Sequence, residues 1–287
     1  MKTLIIGGNR FVGLRLSRLL DRDSGCELHI LNRSGQVPGV TKATIHKGSR
    51  DDLPASGLDR DWDVVVDFSC YNDAHAKGSI GFFRKVGRYV HISTGSVYDD
   101  GRYQTEAGFV PEKWTRHDTP TEEEKKDPYK FGKRQAEAAF AQGAGFPVLL
   151  VRIPFIAGLD DYTRRFAFHV ERIAKALPIY VPNLEARSSF ADSEDAARFL
   201  HWCLDKDLVG PVNVASPADI SLKDLLAFIE GRLGRKARLA AEATEENHSP
   251  YGIAETRTMD VGRMKAAGFA TRPLEEWLPG LIDGLKI

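Results

Sequence analysis

The chain has 287 residues, a length that predicts about two domains or one large α/β domain with an added lobe. Forty Lys and Arg residues balance 40 Asp and Glu residues, so no overall charge draws the chain to nucleic acid or to an anionic membrane. Any site for a polyanion therefore has to be local.

Cysteine, histidine and hydropathy patterns exclude further classes of protein. The three cysteines, Cys26, Cys70 and Cys203, form no CxxC pair, which is typical of a reducing compartment and predicts a cytoplasmic protein without a disulfide scaffold. The eight histidines are scattered, so we expect no metal site. No apolar run approaches the roughly 18 residues that cross a bilayer, and the run at 4–6 is too short for a signal peptide.

The N-terminal stretch predicts a nucleotide-binding turn. Residues 4–6 are apolar, as in a buried parallel strand, and apolar side chains recur at helical spacing over 11–20. The turn between them follows a Gly-x-x-Gly-x-x-Gly fingerprint with arginine in place of the middle glycine. Free N–H groups at a helix start attract phosphate, so we expect dinucleotide binding here rather than an ordinary strand-to-helix loop. The expected cofactor-binding residues are Gly7, Asn9, Arg10, Phe11, Val12 and Gly13.

The end of the second predicted strand bears on the choice of cofactor. Residues 28–31 form that strand, and Asn32 and Arg33 follow it. An acidic residue here would accept hydrogen bonds from ribose hydroxyls, whereas an arginine pairs with a 2′-phosphate. We therefore expect Asn32 and Arg33 to bind the cofactor and to favour NADP over NAD. The alternative is that Arg10 and Arg33 are solvated loop residues.

The next segments extend a parallel sheet. Residues 43–46 predict a weak third strand, and the valine-rich residues 63–67 a strong fourth strand. The polar loop 48–51 is expected near the adenine. The loop 68–72, with Ser69, is expected beside the cofactor.

A cluster of hydroxyl groups follows the fifth predicted strand. We expect residues 81–86 to end a helix and residues 89–93 to form that strand, with Thr94 at its carboxyl end. Ligands of open α/β sheets bind at this edge. The connection 101–126 is rich in charge and turn residues, with Tyr103 and Trp114 as its large anchors. A connection of this length predicts a substrate-covering or disordered loop.

A helix with two polar residues on one face comes next. Asp127 and Pro128 predict a capped helix start, and the helix continues to about residue 144. Tyr129 and Lys133 lie at positions i and i+4, so they share a face.

Residues 148–152 predict the sixth strand. The remaining chain predicts a smaller lobe: helices at 163–177, from 193, at 221–233 and 274–285, short extended pieces at 179–181 and 188–190, and a last strand at 212–214.

Thr94, Tyr129 and Lys133 together predict a proton-transfer site. Free tyrosine has a pKa near 10, so a phenolate near neutral pH needs a lowering of about three units, or roughly 4 kcal/mol. We expect the ammonium of Lys133 and an oxidised nicotinamide to lower the pKa of Tyr129, which then exchanges a proton with a carbinol while Thr94 holds the oxygen. Lys133 would also bind the nicotinamide ribose. The alternative is a solvated Tyr–Lys pair.

The chain resembles an extended or atypical short-chain dehydrogenase/reductase of the NAD-dependent epimerase/dehydratase type. Residues 92–98 match the strand-five segment that carries the catalytic Ser or Thr, here Thr94, and Tyr129 and Lys133 match the YxxxK motif. Residues 152–158, with Ile153, resemble the Arg-Pro segment that passes the nicotinamide, and residues 189–197 resemble a later family segment.

The resemblance implies the fold and the reaction class. It implies a Rossmann-type doubly wound parallel sheet formed by 1–156 and about 190–216, with a smaller substrate lobe formed by about 157–189 and 217–287. It also implies NADP or NAD, a sugar or nucleotide-sugar substrate with a secondary alcohol or ketone, and a homodimer. Epimerase, dehydratase and reductase chemistry all stay open.

Departures from the family pattern affect the nucleotide end of the substrate. Ser188 stands where related enzymes place an arginine for the diphosphate, with Arg187 beside it, and residues 257–260 only loosely follow the family's Arg-x-x-Asp sequence. The turn at 7–13 also resembles chloroplast stem-loop-binding proteins, which implies a rival: a non-catalytic NAD(P)-binding regulatory or RNA-binding protein. The balanced charge and the intact Thr94, Tyr129 and Lys133 argue against nucleic acid as the partner.

Overall fold

The computed structural model describes residues 1–285 as an α/β protein with one large and one smaller sheet. The strands are β1 Lys2–Ile6, β2 Glu27–Asn32, β3 Thr44–Lys47, β4 Trp62–Asp67, β5 Val86–Thr94, β6 Gly101–Gln104, β7 Val148–Ile153, β8 Phe155–Ala157, β9 Pro178–Ile179, β10 Arg187–Asp192, β11 Gly210–Asn213, β12 Asp219–Ser221, β13 Arg238–Leu239 and β14 Arg257–Met259. The α-helices are α1 Phe11–Arg22, α2 Asp73–Phe82, α3 Pro128–Gly143, α4 Arg165–Ala174, α5 Ser193–Trp202, α6 Leu222–Leu233, α7 Gly262–Ala266 and α8 Leu274–Gly284.

The large sheet has seven strands in the order β11-β7-β5-β4-β1-β2-β3, and every neighbouring pair is parallel. The order reverses beside β1, as in doubly wound folds, which bind ligands at the carboxyl ends of the strands near such a reversal. This confirms the predicted Rossmann-type architecture.

Both faces of the large sheet are buried, which explains the continuous apolar runs of its central strands. On one face Ile5 and Val66 pack with Leu16 of α1 and with α5, and on the other Ile6 and Val65 pack with α2 and α3. Alternate side chains of a strand point to opposite faces, so each of β1 and β4 contributes to two cores. The sheet is therefore held rigidly beneath its carboxyl edge.

A second sheet belongs to the smaller lobe and lies beside the first. Its strand order is β12-β10-β14-β6, and β8 also pairs with β10. The lobe has its own core, formed largely by α4, α6 and α8, with Phe166, Leu226 and Trp277 among its buried side chains. Within residues 1–285 no helix is both long and apolar enough to span a bilayer.

The helix end predicted at 81–86 is wrong, and the structure rules out the disordered alternative for the connection 101–126. Residues 81–86 do not end a helix together: α2 stops at Phe82, and Val86 already begins β5. The connection 101–126 is ordered rather than disordered, because Gly101–Gln104 forms β6 against β14 and Phe109 packs with Trp114. Tyr103 is 58 % exposed and anchors nothing, whereas Phe109 is buried.

Candidate active site

The turn after β1 requires glycine at three positions. Gly7 and Gly8 have φ values of +96° and +76°, in the left-handed region that favours glycine. A Cβ at Gly13 would lie 2.7 Å from the Cα of Gly8, and a Cβ at Gly8 would lie 2.5 Å from Cγ2 of Ile5. The turn therefore brings α1 close to β1, and Gly8 joins the predicted Gly7 and Gly13 as a residue that the turn needs.

The N-terminus of α1 presents backbone donors at the carboxyl edge of the sheet. Arg10 is the N-cap residue, and its side chain caps no N–H group of the helix. Phe11 and Val12 begin the helix, so their N–H groups lack intrahelical partners. The guanidinium of Arg10 lies 5.5 Å from the ring centre of Tyr162, across the cleft from the turn. Asn9 donates from Nδ2 to Oγ of Ser34 at 3.2 Å.

Asn32 and Arg33 differ in their surroundings. The Asn32 side chain is buried and shapes the turn that follows β2: Oδ1 accepts hydrogen bonds from Oγ of Ser34 and from N of Gly35, both at 2.8 Å. Arg33 is exposed. Of these two residues, Arg33 is the one whose side chain is free to meet a ligand.

The loop after β4 is fixed by a buried carboxylate. Oδ1 of Asp67 accepts hydrogen bonds from N and Oγ of Ser69, and Oδ2 accepts one from the Tyr89 hydroxyl at 2.6 Å. Arg50 forms a buried ion pair with the same carboxylate and donates to the carbonyl oxygen of His75. Arg50 thus ties the polar loop 48–51, whose role the sequence left undefined, to the loop that contains Ser69.

A cleft of about 550 Å³ lies between the sheet edge and the smaller lobe. Of the predicted site residues, five line it: Phe11, Thr94, Tyr129, Lys133 and Ile153. The others do not line this cleft; they lie along the turn of α1 and the ends of β2 and β4: Gly7, Asn9, Arg10, Val12, Gly13, Asn32, Arg33 and Ser69. The predicted catalytic residues are therefore brought together at one wall of the cleft.

Helix α3 sets the position of Tyr129. Its N-cap Asp127 accepts a hydrogen bond from the backbone N of Lys130 at 2.9 Å, as the sequence predicts, and Pro128 occupies the first turn. The residue is 47 % exposed, and its ring lines the cleft. The cleft walls desolvate the phenol and raise its pKa, while the polar contact with Thr94 and the positive charge of Arg165 oppose that rise.

Lys133 lies one turn further along the same face of α3 and is 2 % exposed. Its Nζ donates to the carbonyl oxygens of Cys70 and Ile92, both at 2.7 Å, so it joins the carboxyl ends of β4 and β5. Burial lowers the pKa of Lys133 to about 8. The expected lowering of the Tyr129 pKa by Lys133 is not found in the protein alone, because desolvation of the phenol outweighs the lowering influences on it.

Thr94 closes β5 and caps the short helix at 95–97. Its Oγ1 accepts a hydrogen bond from N of Ser96 at 3.1 Å and lies 3.3 Å from Oγ of Ser96. Gly95 follows it, and a Cβ there would lie 2.7 Å from Sδ of Met259. Met259 of β14 therefore packs directly against the end of β5, beside the predicted catalytic hydroxyl.

A buried ion pair supports these elements from below. The guanidinium of Arg152 on β7 donates to both oxygens of Glu137, which follows Lys133 by one further turn of α3. Arg152 also donates to Tyr98 and to the carbonyl oxygens of Glu106 and Phe109. Although burial opposes the charge on Arg152, the carboxylate of Glu137 raises the pKa of the guanidinium.

The sequence prediction omitted this pair, although the i+4 spacing of Glu137 from Lys133 was a usable signal. The family-like segment at 152–158 already included Arg152. The partners of Arg152 come from positions up to 54 residues away, which spacing along one helix cannot reveal.

The lobe contributes the opposite wall of the cleft. Ser188 lines it, whereas Arg187 turns away and pairs with Asp219 at 2.5 Å. Arg165 at the start of α4 and Arg257 of β14 also line the cleft. Within residues 1–285 no three His, Cys, Asp or Glu side chains form a group that suits a metal ion.

Comparisons with known proteins agree with this architecture. The profile of the NAD dependent epimerase/dehydratase family matches residues 80–215, a range that contains Thr94, Tyr129 and Lys133. The match covers just under half of the chain and confirms the resemblance to the NAD-dependent epimerase/dehydratase family.

Two solved structures are similar over nearly the whole chain. UDP-glucuronic acid 4-epimerase from Bacillus cereus, solved in complex with NAD, is 16 % identical with a TM-score of 0.74, covering 99 % of this chain and 98 % of its own. UDP-glucose 4-epimerase from Thermus thermophilus, also in complex with NAD, is 15 % identical with a TM-score of 0.70 and the same coverage. At this identity the likeness establishes the fold.

One curated relative belongs to a different functional class. The chloroplast stem-loop binding protein of 41 kDa b from Arabidopsis thaliana is 26 % identical over 200 residues. The match covers 63 % of this chain and 49 % of the relative, so the chain spans about half the length of the curated relative that it matches.

Proposed function

We propose that the protein is an NAD(P)-dependent enzyme that acts on a secondary alcohol or ketone of a nucleotide-sugar, with Tyr129 as the acid/base. The observation that carries the proposal is the meeting of Thr94, Tyr129 and Lys133 at one wall of a cleft, with Phe11 of the glycine turn lining the same cleft. Epimerisation is the reaction favoured by the neighbours, both of which are named as 4-epimerases.

The residues of the turn fit a dinucleotide. Glycine at positions 8 and 13 lets the start of α1 pack directly on the turn and on β1, with contacts of 2.5 and 2.7 Å that a Cβ would make, and so holds the helix N-terminus at the sheet edge. The α1 N-terminus adds free N–H groups that no side chain caps. A bound nicotinamide would supply a two-electron acceptor for the carbinol carbon.

Each catalytic side chain has one role in the proposed mechanism. The Tyr129 phenolate takes the proton from the carbinol oxygen and returns it in the reverse direction. Thr94 donates a hydrogen bond to that oxygen and holds it at the cleft wall. Lys133, fixed by two carbonyl oxygens, would hold the ribose of the cofactor.

The resting state of Tyr129 has a consequence for this mechanism. Burial raises the pKa of the phenol in the protein alone, so the protonated form is favoured before ligands bind. The positive charge that ionises it has to arrive with the oxidised cofactor. Turnover of an alcohol is therefore expected to rise with pH until the phenol ionises.

We infer a preference for NADP over NAD from the end of β2. Arg33 is exposed beside the turn, and within residues 1–285 it forms no ion pair, so its guanidinium is available to a 2′-phosphate. The neighbours favour the other choice, because both structures contain NAD. Binding of the two cofactors decides between them.

Replacement of Tyr129 by phenylalanine tests the proposal. Tyr129→Phe removes only the phenolic oxygen, so we expect the dissociation constant for NAD or NADP to stay within about twofold while turnover falls by roughly 100-fold or more. Turnover is measured as conversion between UDP-sugar epimers. Tyr103→Phe, which changes an exposed tyrosine outside the cleft, is the control. Undiminished turnover in Tyr129→Phe would remove this residue from the mechanism.

An RNA-binding protein is the second candidate, favoured by the curated relative and by a local charge imbalance. Residues 1–50 carry nine Lys or Arg and three Asp or Glu residues, although the whole chain is balanced. Excess positive charge in this segment favours contact with a polyanion, although Arg50 is buried and Arg15 pairs with Asp160 and Glu194. Filter binding to a stem-loop RNA at two salt concentrations tests it, because tight retention that weakens with salt favours this candidate over the enzyme.

A further inference from the structure

Four charged side chains line the cleft, and three of them are already engaged. These three are Lys133, Asp161 and Arg257. Lys133 is held by two carbonyl oxygens, and Arg257 forms an ion pair with Asp100. Oδ1 of Asp161 accepts two hydrogen bonds from Thr163, while its Oδ2 is buried without a hydrogen-bond partner among residues 1–285.

Arg165 is the fourth charged residue and has no such partner. Among residues 1–285, no carboxylate lies within 4 Å of its guanidinium, and no side-chain hydrogen bond fixes it. The preceding residue, Arg164, has a φ of +55° and turns the chain before α4. In contrast to Arg165, its side chain forms an ion pair with Glu171. Of these two adjacent arginines, Arg164 therefore pairs with a residue of helix α4, whereas Arg165 lines the cleft.

Arg165 lines the same cleft as Tyr129. Desolvation raises the pKa of the Tyr129 phenol, and the positive charge of Arg165 is among the influences that oppose this rise. An anion held by Arg165 would therefore lie in the cleft that holds the predicted catalytic residues.

The opposite wall offers less positive charge than the family pattern implies. Ser188 occupies the position where the resemblance predicts an arginine. The neighbouring Arg187 forms an ion pair with Asp219 and does not line the cleft. An anionic substrate consequently has to find its counter-charge at another residue of the cleft. Among residues 1–285, Arg165 is the cleft cation whose side chain forms neither an ion pair nor a hydrogen bond, whereas Lys133 is held by carbonyl oxygens and Arg257 by a carboxylate.

We propose that Arg165 binds an anionic oxygen group of the substrate and so selects substrates that place one within its reach in the cleft. The inference rests on the proposed function. Two sources supply this chemistry in a nucleotide-sugar: a carboxylate on the sugar ring and the diphosphate that joins it to the nucleoside. Both accept paired hydrogen bonds from a guanidinium.

Calorimetric titration of the full-length protein saturated with NAD tests the role of Arg165. The probes are UDP-glucuronate, UDP-glucose, UDP and free glucuronate, and the variants are Arg165→Met and the matched control Arg164→Met. We expect Arg165→Met to weaken UDP-glucuronate binding by about 10- to 100-fold, the loss typical of a charge-assisted contact, and Arg164→Met to stay within about twofold.

The four probes distinguish the source of the anion. A loss confined to UDP-glucuronate and glucuronate assigns the contact to a sugar carboxylate, whereas an equal loss with UDP-glucose and UDP assigns it to the diphosphate. Equal affinities of Arg165→Met and the parent for every probe that the parent binds would overturn the proposal. The proposal would also be overturned if the parent protein bound none of the four probes.

A pH profile separates binding from a merely structural role. Without the guanidinium the Tyr129 phenolate loses a nearby positive charge, so the rising limb of kcat/KM should move to higher pH in Arg165→Met and not in Arg164→Met. An unmoved limb would count against the placement of Arg165 beside Tyr129. If Arg165-dependent binding persists but no UDP-sugar is turned over, the proposed function fails and the inference on Arg165 stands.

Discussion

Loss of the Arg152 guanidinium should destabilise the protein strongly. Arg152 and Glu137 are both fully buried, and Nη2 of Arg152 lies 2.6 Å from Oε2 of Glu137. Arg152→Met leaves the Glu137 carboxylate buried without its counter-ion, and it also removes donors from two loop carbonyl groups. Breaking a buried pair from one side costs roughly 3–5 kcal/mol, because the remaining charge keeps its desolvation penalty.

The size of the effect can be checked by unfolding in urea and by heat. A loss of 3–5 kcal/mol corresponds to a fall in Tm of about 5–15 °C for a chain of this length. The double variant Glu137→Gln with Arg152→Met removes both charges, so we expect it to regain at least half of the lost free energy of unfolding. Lys85→Met, which removes an exposed partner of Asp61, is the control and should leave Tm unchanged.

Two outcomes would refute this reasoning. If Arg152→Met unfolds at the same urea concentration as the parent, the ion pair contributes no net stability. If the double variant loses as much stability as the single one, the cost comes from lost hydrogen bonds and packing rather than from an unpaired charge.

Three further predictions concern the turn, Lys133 and the cofactor. Gly13→Ala places a Cβ 2.7 Å from Cα of Gly8, so dinucleotide affinity measured by fluorescence titration should fall at least tenfold, and an unchanged affinity would contradict the close approach. Burial lowers the pKa of Lys133 to about 8, below that of the unfolded chain, so stability should rise between about pH 8 and 10.5 in the parent and less in Lys133→Met. Arg33→Asp should reverse a preference for NADP over NAD, and a parent that binds both equally would refute the role of Arg33.

Local signals in the sequence were sufficient for the nucleotide-binding half of the fold. The apolar run, the glycine turn and the helix periodicity at 2–22 each depend on neighbouring residues, and β1 and α1 follow them closely. The cap at Asp127 is equally local, and it was predicted correctly. The end of α2 was misplaced because residues 81–86 contain glycine and charged residues that fit a helix end or a strand start equally well.

Long-range pairing explains what sequence reasoning missed in the site. Strand β6 forms only because β14, about 155 residues later, offers an edge to it, so the segment at 101–104 has no strong strand signal of its own. The side-chain role of Arg187 likewise depends on Asp219, 32 residues later in the chain.

Near-neighbour signals were enough for the N-terminal strand, turn and helix and for the shared face of Tyr129 and Lys133, because steric limits on φ and helical periodicity act over short stretches of chain. The folded protein sets which charges are engaged, which remain available in the cleft, and how desolvation moves the pKa of Lys133 and Tyr129. Desolvation and ion pairing depend on groups from distant parts of the chain, so they exist only once the sheet and the smaller lobe enclose the cleft.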